Sequence, residues 1–350
     1  MTDMPEIICE RSGSAGVVIL NRPKALNALT VGMVRGLYQA LAAWQDDPAI
    51  KCVVVKGAGE KAFCAGGDVR WIRDVSLEGR RDEALGFWYD EYRLNTLIKR
   101  YPKPYISLIG GIVMGGGVGV SIHGTHRIAG DNYLFAMPEV GIGFFPDVGA
   151  SYPLSRLPGN VGAYLTTTGD RLRRADAVYL GIATHAVETA RFAELESRLA
   201  GGENIDEILP EMIIEAGPSA IADEQGLIEE CFAGNSFPAI VKRVRERSAN
   251  SEFAARVLSA FDGKSPTSMC VSLEQIRRAA RLDFDDVMKM DYRLSTHMSE
   301  PGEDFYEGVR AVLVDKDGKP VWNPATLDDI SPAKIEAYFA PLGAGDFKAQ

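Results

Sequence analysis

The stretch Gly111-Ile-Val-Met-Gly-Gly-Gly-Val-Gly-Val-Ser-Ile-His-Gly124 decides how this chain is read. From Tyr105 to Ile122 the sequence passes six glycines and no charged residue. A glycine inside a helix or strand costs roughly 0.5–1 kcal/mol relative to alanine, so this concentration needs a compensating reason. Three readings compete: a membrane span, a phosphate-cradling loop, and a close approach of backbone to another group. A span takes about 20 strongly apolar residues, whereas here glycine and two serines dilute a run bracketed by Lys103 and His123. The phosphate loop fails on spacing. G-x-G-x-x-G occurs nowhere in the stretch, and no Gly-Lys-Ser or Gly-Lys-Thr directly follows it. The third reading survives. After a buried strand, Gly115–Gly117 would open a helix whose first amides have no intrahelical partner, and such donors can hold a developing oxyanion. The plain alternative is that the glycines only let helix and strand pack closely.

Two other stretches share this character. Phe63-Cys-Ala-Gly-Gly-Asp68 is a second glycine turn after an apolar run, with Asp68 placed to cap a helical Val69–Val75. Two such turns could offer two backbone N–H donors to one oxygen. In Met137-Pro-Glu-Val-Gly-Ile-Gly-Phe-Phe-Pro-Asp147, the acids Glu139 and Asp147 stand in an otherwise uncharged segment. Carboxyls in apolar surroundings with no cation nearby tend toward raised pKa values and are candidate catalytic groups. Read plainly, Glu139 caps a short helix and Asp147 begins a turn.

The length, 350 residues, suits one large domain with a smaller one. A net charge of −10 argues against a nucleic-acid binder, which would show a basic patch or stripe. It leaves room for an anionic small ligand held by a few local cations. Cys9, Cys52, Cys64, Cys231 and Cys270 form no CxxC pair and no metal-ligand spacing; with the acidic N-terminal residues they point to reduced thiols and a cytoplasmic protein. Cys64 reads as a small buried residue, and His123 and His126 as packing or hydrogen-bonding groups, so no metal is expected.

The chain alternates strand-like and helical runs over its first half, the α/β pattern. Val17–Leu20, Cys52–Lys56 and Tyr105–Ile109 read as buried strands, and Thr30 caps a helix reaching Trp44. From Ile205 the pattern is almost entirely helical, as in Pro238–Arg247 and Ser272–Arg281, with Ser272 and Gln275 as a capping box. Residues 1–200 therefore read as an α/β core and 201–350 as a helical C-terminal region, divided at Gly201-Gly202.

Together these stretches resemble the crotonase (enoyl-CoA hydratase/isomerase) superfamily. The resemblance is carried by Asn21-Arg-Pro-Lys-Ala-Leu-Asn-Ala-Leu29, Lys61-Ala-Phe-Cys-Ala-Gly-Gly-Asp68, the Gly115 stretch, Met137-Pro-Glu139, and Thr168-Gly169 with Gly181-Ile-Ala183. Within it, residues 137–149 and Asp304-Phe-Tyr-Glu-Gly-Val-Arg-Ala-Val-Leu-Val-Asp-Lys-Asp-Gly-Lys-Pro-Val-Trp322 are most similar to the 3-hydroxyisobutyryl-CoA hydrolase branch. Ala150-Ser151 and Ser155 depart mildly from that branch.

The resemblance implies a crotonase-like spiral of ββα turns and a CoA thioester substrate, with no separate cofactor. It assigns the oxyanion hole to the amides of Gly67 and Gly116, a substrate contact to Glu91, and CoA contacts to Lys24, Ala25, Ala65 and Asp68. A homo-oligomer is one further expectation; nucleic acid and membrane are not expected partners. Hydratases of the family pair two glutamates, one three residues after the Gly116 position, where this chain has Gly119. A site with one of the two cannot run the paired acid–base addition of water in the usual way. With Glu139 retained and Asp147 in place of the usual glycine, the pattern favours hydrolysis of a short branched 3-hydroxyacyl-CoA. The rivals are an enoyl-CoA hydratase or isomerase working through Glu139 alone, and a non-catalytic acyl-CoA binder.

Overall fold

Apolar runs buried on both faces are what parallel strands require, and the chain places them so. The computed structural model describes residues 4–349. The described residues divide into two compact units, one of residues 4–68, 93–135 and 172–220, the other of residues 69–92, 136–171 and 221–349. The strands are β1 (Ile7–Ser12), β2 (Ala15–Leu20), β3 (Cys52–Gly57), β4 (Ala62–Cys64) and β5 (Tyr105–Ile109). They continue with β6 (Ile112–Met114), β7 (His126–Ala129), β8 (Leu134–Ala136), β9 (Leu172–Arg173) and β10 (His185–Ala186).

One sheet has the order β1-β2-β3-β5-β7-β10 and the other β4-β6-β8-β9. Only β1–β2 is antiparallel in the larger sheet. Val53, Val54 and Val55 are fully buried in its middle, which is why the run shows no polar alternation. Helix Val31–Trp44 starts where expected, with the Thr30 side chain accepting from the Met33 amide.

The small sheet positions the glycines. Strands β4 and β6 run parallel, and each leads straight into a glycine turn. Gly115 has φ 49° and ψ −124°, a conformation that L side chains avoid. The helix it opens is a single turn, Gly116–Gly119, shorter than the buried helix the sequence suggests, and His126 stands on β7 beyond it. At Gly117 the close-packing reading holds: an added Cβ would lie 2.3 Å from the carbonyl oxygen of Cys64.

The second unit is mainly helical, and after β10 the described residues contain no further strand. Helix Phe237–Ser248 covers the expected Pro238–Arg247. The capping box at Ser272 is not present; that residue is buried in the middle of helix Pro266–Ala279. Ser265 caps this helix by accepting from the Ser268 amide, with Pro266 at the first helical position, a start that outweighs the later Ser/Gln pair. Helix Phe284–Met298 is capped by Asp283.

Gly117→Ala should lower stability by about 1–3 kcal/mol, as overpacking of tight contacts generally does. Urea melts of both proteins measure this. An alanine variant as stable as the parent would mean that β4 and the glycine turn are not packed this closely.

Candidate active site

A backbone amide is a usable donor only where the chain has not already spent it. The turn after β4 is stitched to residues 26–29: the Leu29 amide donates to Gly66 (2.8 Å), Ala65 to Leu26 (3.0 Å) and Asp68 to Leu29 (2.9 Å). This pairing passes over Gly67. Among the described residues, neither the Gly67 nor the Gly116 amide donates to a backbone carbonyl in these turns. The two turns lie side by side, since a Cβ on Gly66 would stand 3.9 Å from the Gly116 nitrogen. A one-turn helix has little macrodipole, so any anion stabilisation here comes from the individual N–H groups.

Lys24 and Ala25 lie exposed in the turn Pro23–Ala25. Behind them Leu26 and Asn27 both take left-handed backbone, with φ 50° and 59°. Buried Asn27 holds this loop: its Nδ2 donates to the carbonyls of Ala58 (3.0 Å) and Ala62 (2.9 Å), and its Oδ1 accepts from the Arg22 amide (3.0 Å). Arg22 Nη2 also meets the Asp68 carboxylate at 3.2 Å. The Asn21–Leu29 loop, Ala65, Gly67 and Asp68 thus form one connected piece. Cys64 is buried, with its Sγ 3.5 Å from the Gly66 carbonyl, as its reading as a packing residue requires.

The acids gather in the other unit. Glu139 is the first residue of the short 3-10 turn Glu139–Ile142, and Asp147 begins a turn closed by the Ala150 amide. The plain reading of Asp147 as the start of a turn therefore holds, whereas Glu139 does not cap its turn, since Pro138 stands at the N-cap and no side chain caps it. Both side chains are buried, as is Glu91 on helix Arg81–Lys99. Burial pushes the Glu139 carboxyl well above the ordinary range, and the Asp147 charge adds to this. Glu91 is raised likewise, first by burial, then by Asp147 and Glu139. Asp147 is pushed up to about 7 by burial, against a hydrogen bond from Tyr92 that favours its charged form. That bond runs from Tyr92 Oη to Asp147 Oδ2 at 2.9 Å, and Tyr92 shares a 2.5 Å hydrogen bond with Ser295. One oxygen of Glu91 and one of Glu139 have no hydrogen-bond partner among the described residues. Unsatisfied buried carboxyl oxygens are costly, and a substrate is the natural way to satisfy them.

Two free amides on glycine turns and three buried carboxyls are what a family comparison must account for. Residues 15–339 match the enoyl-CoA hydratase/isomerase family. The chain belongs to this family. The 3-hydroxyisobutyryl-CoA hydrolase, mitochondrial, of Xenopus tropicalis is 43% identical over 353 residues, spanning 98% of this chain and 91% of its own. The Homo sapiens protein of the same name is 42% identical, over 98% of this chain and 90% of its own. The crystal structure of a carnitinyl-CoA dehydratase from Mycobacterium thermoresistibile superposes with a TM-score of 0.93 at 41% identity, covering 99% of both chains. The architecture is accordingly the crotonase-like α/β fold with a helical C-terminal region.

Sequence reasoning brought out the glycine turns and the acids of this family member but not the groups that hold them. Asn27 lies inside a motif singled out for other reasons. Tyr92, Asp291 and Ser295 are ordinary helical residues in sequence, Gln275 stands out there only for a cap it does not make, and only the fold brings them to Asp147 and its turn. No cluster able to hold a metal ion occurs among the described residues, and no described helix is long and apolar enough to cross a membrane.

The folded state binds the proton of Asp147 more tightly than the unfolded chain does, since its pKa rises from 3.8 to about 7. Its contribution to stability is fully present below the unfolded value and is lost as the pH rises through the folded one. Melting wild type and Asp147→Asn across this window should show the wild type losing, relative to the variant, on the order of a few kcal/mol. Parallel pH profiles for the two proteins would mean that Asp147 is not a buried, proton-holding acid.

Proposed function

We propose that this chain hydrolyses a short branched 3-hydroxyacyl-CoA thioester, 3-hydroxyisobutyryl-CoA, to 3-hydroxyisobutyrate and CoA, a step of valine degradation. The observation that carries the reading is the buried set of Glu91, Glu139 and Asp147 in a chain whose glycine turn has Gly119 in place of a second glutamate. Hydration and dehydration by a glutamate pair need the acid that position 119 lacks. The names of the hydrolases from Xenopus tropicalis and Homo sapiens, matched over nearly the whole chain, support the same substrate.

In this reading Glu139 passes its proton within the cluster to Asp147 and then, as a carboxylate, either attacks the thioester carbon to form a mixed anhydride or takes a proton from a water that attacks that carbon and gives the acid directly. The amides of Gly67 and Gly116 receive the developing oxyanion. The carbon–sulfur bond breaks, and the leaving thiolate takes a proton from Asp147, whose pKa near neutrality suits it to give one and recover it. In the anhydride route, water then opens the intermediate and restores Glu139. Asp147 also meets the 3-hydroxyl group, and Glu91 lines the acyl pocket. Lys24, Ala25, Ala65 and Asp68 are assigned to CoA. No cofactor is needed, because every step is an acyl or proton transfer. The five cysteines, none of them in a disulfide, support a reducing compartment, and the cytoplasm is the one proposed here, although the named relatives are mitochondrial.

Release of free thiol, read with a coloured disulfide reagent, tests the reading on a panel of CoA esters. 3-Hydroxyisobutyryl-CoA should be cleaved, and Glu139→Gln should lower the rate by roughly 10³-fold or more while binding persists. A change in enoyl-CoA absorbance with no thiol release from any short 3-hydroxyacyl-CoA would instead make this chain a hydratase. Asp147→Asn should cost about 10-fold or more on 3-hydroxyisobutyryl-CoA beyond its cost on isobutyryl-CoA, which lacks the hydroxyl; equal losses on the two esters would remove Asp147 from hydroxyl recognition.

A further inference from the structure

We infer that Asp291, in the middle of helix Phe284–Met298, is a positioning residue that holds the Asp147 turn in its working shape. The inference rests on the reading that Asp147 acts in the hydrolysis. Immediately after Asp147 the backbone enters an unfavourable conformation: Val148 has φ 54° and Gly149 φ 72°. A β-branched residue in the left-handed region is strained, and such strain persists only where the surroundings impose it.

The surroundings do so on both sides of Asp147. The Gly149 amide donates to Asp291 Oδ2 at 2.8 Å. Gln275 Nε2 donates to Asp291 Oδ1 at 2.8 Å and to the Pro146 carbonyl at 2.9 Å. One buried pair, the Asp291 carboxyl and the Gln275 amide, therefore grips the residue before Asp147 and the second residue after it. Asp291 and Gln275 are both fully buried. A carboxyl so placed is expensive to desolvate, and an apolar residue of similar size would fill the space more cheaply. It could not accept two N–H groups.

The same helix also reaches the Asp147 side chain. Ser295, one turn beyond Asp291, shares its hydrogen bond with Tyr92, which donates to Asp147 Oδ2. Backbone and carboxylate of Asp147 are thus fixed from a single helix face. The C-terminal helices act on the reaction by aiming one acid, and Asp291 sets the backbone part of that aim.

The test is a double-mutant cycle on the full chain, with Asp291→Asn made alone and in the Asp147→Asn background. The substitution replaces one of the two accepting oxygens with an NH₂ group, which would face the Gln275 or the Gly149 donor. The readouts are kcat and KM for 3-hydroxyisobutyryl-CoA and isobutyryl-CoA, with melting temperature followed alongside. Asp291→Asn should lower kcat on the hydroxy ester by roughly 10- to 100-fold, the scale of a misplaced catalytic group, and lower it less on isobutyryl-CoA. Added to Asp147→Asn it should cost nothing further. Equal losses in the two backgrounds, or equal losses on the two esters, would overturn the inference and reduce Asp291 to a packing residue. Should Asp291→Asn fail to fold, Gln275→Met releases Pro146 while Asp291 still holds Gly149, and must show the same dependence on Asp147. If Asp147→Asn itself leaves both esters unaffected, the hydrolytic role of Asp147 fails and the inference falls with it. That outcome is distinct from an active Asp147 that ignores Asp291.

Discussion

Three carboxyl groups are buried together without an ion-pair partner among the described residues, and the rest of the site depends on how that burden is met. Glu91, Glu139 and Asp147 are each at most 7% exposed. Desolvation alone disfavours their charged forms, and each further charge in a low-dielectric pocket disfavours the next. They cannot all ionise near neutrality, so the cluster holds protons where free carboxyls would have lost them. That state suits thioester hydrolysis, which needs one group to attack and another to protonate the leaving sulfur. The hydrogen bond from Tyr92 singles out Asp147, pulling its pKa back to about 7 while the other two acids stay well above their usual range.

The glycine turns answer a different demand, that of keeping backbone amides unspent. Amides left free in this way are neutral donors for an anionic oxygen. Leaving two amides unspent requires turns whose backbone few other residues can adopt, as at Gly115 with φ 49°, and packing close enough that Gly117 has no room for a side chain against Cys64. Within one run, therefore, some glycines serve packing and others leave donors free, which is why the sequence alone left both readings standing.

Legibility in the sequence followed the range of the interactions. The strands at 15–20, 52–57 and 105–109 were readable because parallel strands buried on both faces must be continuously apolar. Glu139 and Asp147 were readable as candidates because charge is conspicuous in an uncharged segment. The start of helix Pro266–Ala279 was misjudged because the Ser272/Gln275 spacing mimics a cap that Ser265-Pro266 supplies earlier in the chain. The support for Asp147 was not readable at all. Asp291 comes 142 residues after Gly149, and nothing in its local sequence separates it from the solvated acids of other helices. The unfavourable backbone at Val148 is likewise a product of tertiary contacts, since valine does not seek a left-handed turn.

Infrared spectroscopy of the carboxyl groups tests the central claim most directly. At neutral pH the wild-type protein should show a protonated carboxylic-acid C=O band, and Asp147→Asn or Glu139→Gln should remove intensity from it. A spectrum with every Asp and Glu ionised at that pH, unchanged by either substitution, would contradict the account.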